Sequence, residues 1–228
     1  MALAALILVS AAGTDAQSSL FNIPTADTLS KGERYFEIDF DAHFTPLCEG
    51  GWQSYGAMGV FGIGNRAEAG VNVATTRFDG GTSVELQPNF KFKAFENESM
   101  GVTVSVGAIG YVPVKGGRLR DTQVSTYVVA AKSFQNSWAP RFTAGGYQLV
   151  GSDPDGAARR GFLLGIQQPV HKRVELVADW NTAKNRFGYA AAGVGVTLTK
   201  RSYLYSAYYF GNQARANNSF GIYYGFSF

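Results

Sequence analysis

Apolar and polar residues alternate strictly along several stretches of this chain. Over residues 36–44 the even positions are Phe36, Ile38, Phe40, Ala42 and Phe44, and the odd ones are Glu37, Asp39, Asp41 and His43. Successive side chains of a strand point to opposite faces, so this stretch predicts a strand with one apolar and one charged face. Residues 84–92 repeat the pattern, with Val84, Leu86, Pro88, Phe90 and Phe92 set against Glu85, Gln87, Asn89 and Lys91, the charged face running on to Lys93. Residues 174–181 set Val174, Leu176, Ala178 and Trp180 against Glu175, Val177, Asp179 and Asn181. The chain also ends this way: Phe220, Ile222, Tyr224, Phe226 and Phe228 alternate with Gly221, Tyr223, Gly225 and Ser227.

Weaker strands are predicted near 54–63, 67–76, 101–111, 122–133, 141–150, 161–169, 188–199 and 202–210, and the last at 218–228. The inward and outward faces are ambiguous for those starting near 54, 122, 141 and 202. Gly, Asn, Asp and Pro clusters such as Asp79-Gly80-Gly81 and Lys184-Asn185 mark the breaks between them. The pattern predicts about 12 strands, with about 10 as the alternative.

Composition selects the solvent. The chain has 228 residues and is 46% hydrophobic but 16% charged, below the roughly 25% usual for soluble domains. Its 28 glycines, 17 phenylalanines and 12 tyrosines suit strands and tight turns. A net charge of +3, with scattered basic residues, gives no basis for nucleic-acid binding. With Cys48 the single cysteine and His43 and His171 the only histidines, neither a disulfide framework nor a metal site is expected. No cofactor is expected.

The apolar run over 3–12, followed by Gly13-Thr14-Asp15-Ala16, has the look of a secretory leader over 1–16, without the positively charged start. It is too short for a transmembrane helix, which needs about 20 residues. Residues 17–31 are polar and turn-rich and predict an irregular segment, leaving 32–228 for the strands. Without another apolar run, a membrane protein here has to be an antiparallel, up-and-down transmembrane β-barrel with its apolar faces in lipid. A soluble β-sandwich or lipocalin-like barrel would turn those same faces into a core.

The secretory start, the alternating strands and the terminal Phe228 resemble Gram-negative outer-membrane β-barrel proteins, small and porin-like or uncharacterised. The segment Leu20-Phe21-Asn22-Ile23-Pro24-Thr25-Ala26-Asp27, with Lys31-Gly32, is similar to the opening of exopolysaccharide-associated barrels. The resemblance implies residence in the bacterial outer membrane and contact with its lipid and lipopolysaccharide. It also implies Phe226 and Phe228 as a signal to the barrel-assembly machinery.

The candidate lumen residues are Glu37, Asp39, Asp41, His43, Glu85, Lys91, Lys93, Glu175 and Asp179. An acidic stripe facing Lys91 and Lys93 across an open pore would make a passive channel for small polar solutes. If the same charges pair with one another, they fill a closed structural or partner-binding barrel tied to surface polysaccharide or envelope assembly. A barrel of about 12 strands lies between the filled and the water-filled sizes. In a third reading Asp41 and His43 at the rim form the acid–base pair of a hydrolase. A non-enzyme is expected. Lys115, Arg118, Arg120, Arg159, Arg160, Lys184 and Arg186 form a basic outer rim suited to anionic lipopolysaccharide or solutes. Trp52, Tyr55, Tyr111, Trp138, Tyr203, Tyr205, Tyr208 and Tyr209 fall near strand ends, where a membrane-interface girdle is expected.

Overall fold

The computed structural model describes residues 19–136, 138–152 and 157–228. The leader expected over 1–16 lies outside them. The strands are β1 (Arg34–His43), β2 (Trp52–Gly64), β3 (Ala67–Phe78), β4 (Gly81–Asn97), β5 (Val102–Lys115), β6 (Gln123–Lys132), β7 (Arg141–Gly151), β8 (Arg160–His171), β9 (Val174–Asn181), β10 (Tyr189–Thr199), β11 (Ser202–Gly211) and β12 (Ser219–Ser227). Each pairs antiparallel with its sequence neighbours, and β1 pairs with β12 to close the barrel. At the seam the Arg34 and Phe228 backbones exchange two hydrogen bonds, of 3.1 and 3.0 Å. Closure leaves no sheet edge, which is what a sheet needs in a medium without water.

The two ends differ. Connections 44–51, 116–122, 182–188 and 212–218 lie at the end away from the termini of the wall, together with the tight turn 79–80. The terminal end has the short turns 65–66, 98–101, 172–173 and 200–201, and a longer one over 133–140. Long loops on one side and short turns on the other is the asymmetry of outer-membrane barrels.

The outer surface separates the membrane reading from the soluble one. Every strand places at least one large apolar side chain on it: Ile38, Phe61, Val71, Phe90, Val106, Val128, Phe142, Leu164, Leu176, Leu198, Leu204 and Ile222 are all exposed. A soluble barrel would bury this set, whereas a belt running all the way round is what hydrocarbon requires. The chain is therefore a transmembrane β-barrel of the outer-membrane type.

The interior departs from the sequence expectation in two ways. Many aromatic residues assigned to the girdle point inward instead: Tyr203, Tyr205 and Tyr209 are buried, and Trp52 and Tyr111 line an internal cavity. Tyr55, Trp138 and Tyr208 remain exposed. Several inward tyrosines lie flat over a glycine of the next strand. A Cβ on Gly107 would sit 2.3 Å from the Tyr127 hydroxyl, and one on Gly195 would sit 2.1 Å from the Tyr205 ring. Glycine at these places lets a large ring lie along the wall rather than across the bore.

The second departure concerns the N-terminal segment. It is irregular, as expected, with a single β-bridge from Ser19 to Pro24. It lies inside the barrel: Leu20, Ile23, Ala26 and Leu29 are 3%, 0%, 0% and 2% exposed and pack with Val60, Val129, Leu163 and Val177 of the inner wall. Every third residue is buried, as in an extended chain with about three residues per turn.

Candidate functional site: a plugged lumen beneath an acidic cavity

Apart from the bond from the Leu20 N–H to the Ile23 carbonyl, the segment pairs little of its own backbone, so the surrounding wall has to do so. The Asp179 carboxylate accepts the backbone N–H of Phe21 at 2.8 Å, of Asn22 at 2.7 Å and of Ile23 at 3.3 Å, and the Asn22 side-chain amide at 3.0 Å. The neighbouring Phe21 ring meets Tyr205, Tyr209 and Tyr223 with centroids 6.1–6.2 Å apart. Gly165 makes the room, since a Cβ there would lie 2.5 Å from Leu20 Cδ1.

The other half of the segment is held by charges. Arg141 grips Asp27 with both terminal nitrogens, at 2.8 and 2.6 Å, the fork-to-carboxylate geometry that gives strong ion pairs. Lys91 donates to the Asp27 carbonyl at 2.7 Å and pairs with Glu68 at 2.9 Å, both side chains being almost fully buried. Glu68 in turn accepts the Leu29 N–H at 2.7 Å, and Ser105 bonds the Ala26 carbonyl. A buried ion pair that also bonds backbone has the extra partners it needs to offset its desolvation.

Between the segment and the loop end lies a cavity of about 690 Å³. Phe21, Asn22, Ile23 and Pro24 line it from the segment, and Glu37, Asp39 and Asp41 from β1. The nearby strands β3 and β4 contribute the amides Asn72, Gln87 and Asn89, and Trp52, Phe78, Tyr111 and Phe187 contribute aromatic surface. The carboxylates of Asp39 and Asp41 lie flat against the wall, where a Cβ on Gly56 or Gly221 would come within 2.0 or 2.3 Å of them. Tyr223 donates to Asp41 at 2.5 Å and is itself bonded to Tyr209, while Tyr35 donates to Glu37.

The structure separates residues that the sequence grouped. Glu37, Asp39 and Asp41 share the cavity wall, but neither lysine opposes them as a free charge. Lys91 is taken by Glu68, and Lys93 pairs with Glu96 at 2.8 Å. The field across an open pore, expected from stripe against lysines, is replaced by local pairing. Glu85 meets Arg186 at 2.8 Å, and Glu175 accepts the Tyr205 hydroxyl at 2.5 Å. Asp179 faces inward, as expected, and holds the plug.

His43 does not pair with Asp41. Its Nδ1 lies 2.5 Å from the Asn218 carbonyl, to which it donates, and Nε2 lies 3.0 Å from the Thr45 hydroxyl. With both nitrogens engaged and Asp41 bonded to Tyr223, the acid–base pair of the hydrolase reading is not assembled. At the rim, Lys115, Arg118, Arg120, Arg159, Arg160 and Lys184 are exposed. Arg186 is exposed as well but reaches over the cavity, bonding Glu85 and Gln123 and stacking 5.0 Å over Tyr111 and 4.4 Å over Phe187. At the seam Phe226 and Phe228 stack at 5.6 Å, with the Arg34 guanidinium 5.8 Å over Phe228.

Asp27, Glu68 and Arg141, which hold the plug, were not singled out by the sequence. A usable signal was present in the segment itself, where apolar residues recur every third position through a proline-containing stretch.

No protein-family model and no curated protein matches the chain. Among solved structures it is similar to the KdgM porin, at 8% identity and a TM-score of 0.62, over 84% of this chain and 99% of that one. The same porin in complex with disordered oligogalacturonate matches equally. An outer membrane channel from Pseudomonas putida F1 matches at 13% identity and a TM-score of 0.52, over 88% of this chain and 97% of that one. At such identities the likeness is one of fold: a closed barrel of the kind built for the outer membrane.

Proposed function

We propose that this protein is an outer-membrane channel for small polar solutes whose resting state is closed by its own N-terminal segment. The observation that carries the reading is the seating of residues 19–29 inside the lumen beneath a polar cavity of about 690 Å³. A purely structural barrel of this size could fill its bore with wall side chains alone. Here the bore is filled by a tethered segment without regular structure, bound to the wall by side-chain contacts and not by strand pairing, an arrangement that can release. The channel-type barrels that share the fold support conduction as the role. Three cavity carboxylates disfavour anionic solutes, so the oligogalacturonate of the KdgM complex is not carried over.

The plug also supports the second reading, a permanently closed barrel serving surface polysaccharide or envelope assembly. Conductance decides between them. In planar bilayers the full mature chain should be quiet or flicker briefly. A variant lacking residues 19–31, shown to be folded by heat-modifiable migration, should conduct steadily. A folded deletion variant without conductance would leave the closed barrel as the function. Phe226 and Phe228 as assembly signal, and the exposed basic rim as a lipopolysaccharide contact, belong to the same proposal.

A further inference from the structure

We infer that the cavity above the plug binds a small solute carrying both an ammonium group and hydroxyls, an amino sugar being the simplest example. The inference rests on the channel reading, because it takes the cavity as the vestibule of the solute path. The volume of about 690 Å³ falls within the range of small-ligand pockets, roughly 300–1,000 Å³. Its lining combines aromatic surface with a few polar groups, the usual composition of such sites.

The charge balance sets the class. The cavity's two cations are already matched, Lys91 by Glu68 at 2.9 Å and Arg186 by Glu85 at 2.8 Å. Glu37, Asp39 and Asp41 have no ion-pair partner among the described residues; tyrosine hydroxyls serve Glu37 and Asp41. Carboxylates withdrawn from bulk water gain most from a cation brought to them. The nearby strands β3 and β4 carry groups of another kind. Asn72 gives its amide N–H to Gln87 at 3.0 Å, while its Oδ1 is buried without any hydrogen-bond partner. Gln87 and Asn89 beside it also line the cavity, and side-chain amides both donate to and accept from sugar hydroxyls. Trp52 and Phe78, from adjacent positions of β2 and β3, give the loop end of the cavity the flat apolar surface on which the C–H face of a sugar ring rests.

Three sugars of one size and different charge test this on the full mature protein in detergent micelles: glucosamine, glucose and glucuronate, by calorimetry. Trp52 fluorescence reports occupancy of the cavity, with Trp52→Phe as the control for Trp138 and Trp180. Glucosamine should bind at least tenfold more tightly than glucose, about 1.4 kcal/mol, and glucuronate should not bind. Asp39→Asn combined with Asp41→Asn should erase the preference for glucosamine. Equal binding of the three sugars, preference for glucuronate, or no binding of any would overturn the proposal. The wild-type series needs no variant to fold. Because binding is read without conduction, a failure here is distinct from a silent deletion variant, which would overturn the channel reading instead.

Discussion

Replacing Asp179 by alanine should release the plug. In the seated state this carboxylate accepts bonds of 2.7 and 2.8 Å from the Asn22 and Phe21 backbone, with weaker ones from Ile23 and the Asn22 side chain. A hydrogen bond to a charged group contributes about 1.5–3 kcal/mol net. Counting only the two short ones at the lower figure gives about 3 kcal/mol, and the N–H groups left buried without an acceptor push the same way. A shift of about 3 kcal/mol raises the unseated fraction more than a hundredfold. Asp179→Asn keeps one acceptor oxygen and should fall between. Ala26 is fully buried beneath the wall, so a thiol placed there by Ala26→Cys, in a Cys48→Ser background, reacts with a maleimide only when the segment leaves. The labelling rate and the open probability in planar bilayers should rise together in Asp179→Ala. A folded Asp179→Ala barrel with the labelling rate and quiet trace of its parent would show that Asp179 does not hold the gate.

Two further outcomes test the fold and its interior. Phe90→Arg places a cation on the lipid face and should cost about 2–4 kcal/mol if it lies near mid-bilayer, read by denaturant unfolding in lipid vesicles, whereas Phe90→Leu should be nearly neutral; equal stabilities would contradict the lipid-facing assignment. Glu68→Gln keeps the acceptor for Leu29 but deprives the buried Lys91 ammonium of its counter-charge, and should destabilise the barrel by about 3–5 kcal/mol, with no loss in the same titration counting against the buried pair.

The wall was legible in the sequence because lipid on one side enforces a period of two. Residues 36–44, 84–92 and 174–181 each carry a clean apolar face, and each turns that face outward. The same signal fails where both faces are apolar or aromatic. On β11 the outward Leu204, Tyr208 and Phe210 alternate with inward Tyr203, Tyr205 and Tyr209, so hydropathy alone cannot orient the strand. A filled lumen creates that ambiguity, since its wall needs packing surface as well as polar groups. The plug was hidden for another reason. Its partners Glu68, Lys91, Arg141 and Asp179 lie far along the chain, and local pattern is blind to a contact such as Phe21 with Asp179, separated by 158 residues. The charged stripe was visible, but its pairing was not, because pairing depends on which strand stands opposite and on the segment between them.

The plug runs directly into β1, and β1 is one of the two strands that close the barrel, pairing with β12 at the end of the chain. That seam joins the most distant residues in the sequence, the kind of contact that forms late because the intervening loop must first be ordered. An unclosed sheet of β2 to β12 would present Asp179 and Arg141 on a concave, open surface. The segment preceding Arg34 then finds its partners before the last strands meet, a template around which the wall curls. The same residues that fill the bore of the finished protein would then serve as its scaffold during insertion. On this view a chain without them pays in yield of closed barrels and in the time taken to reach the membrane-inserted form, before any question of conduction arises.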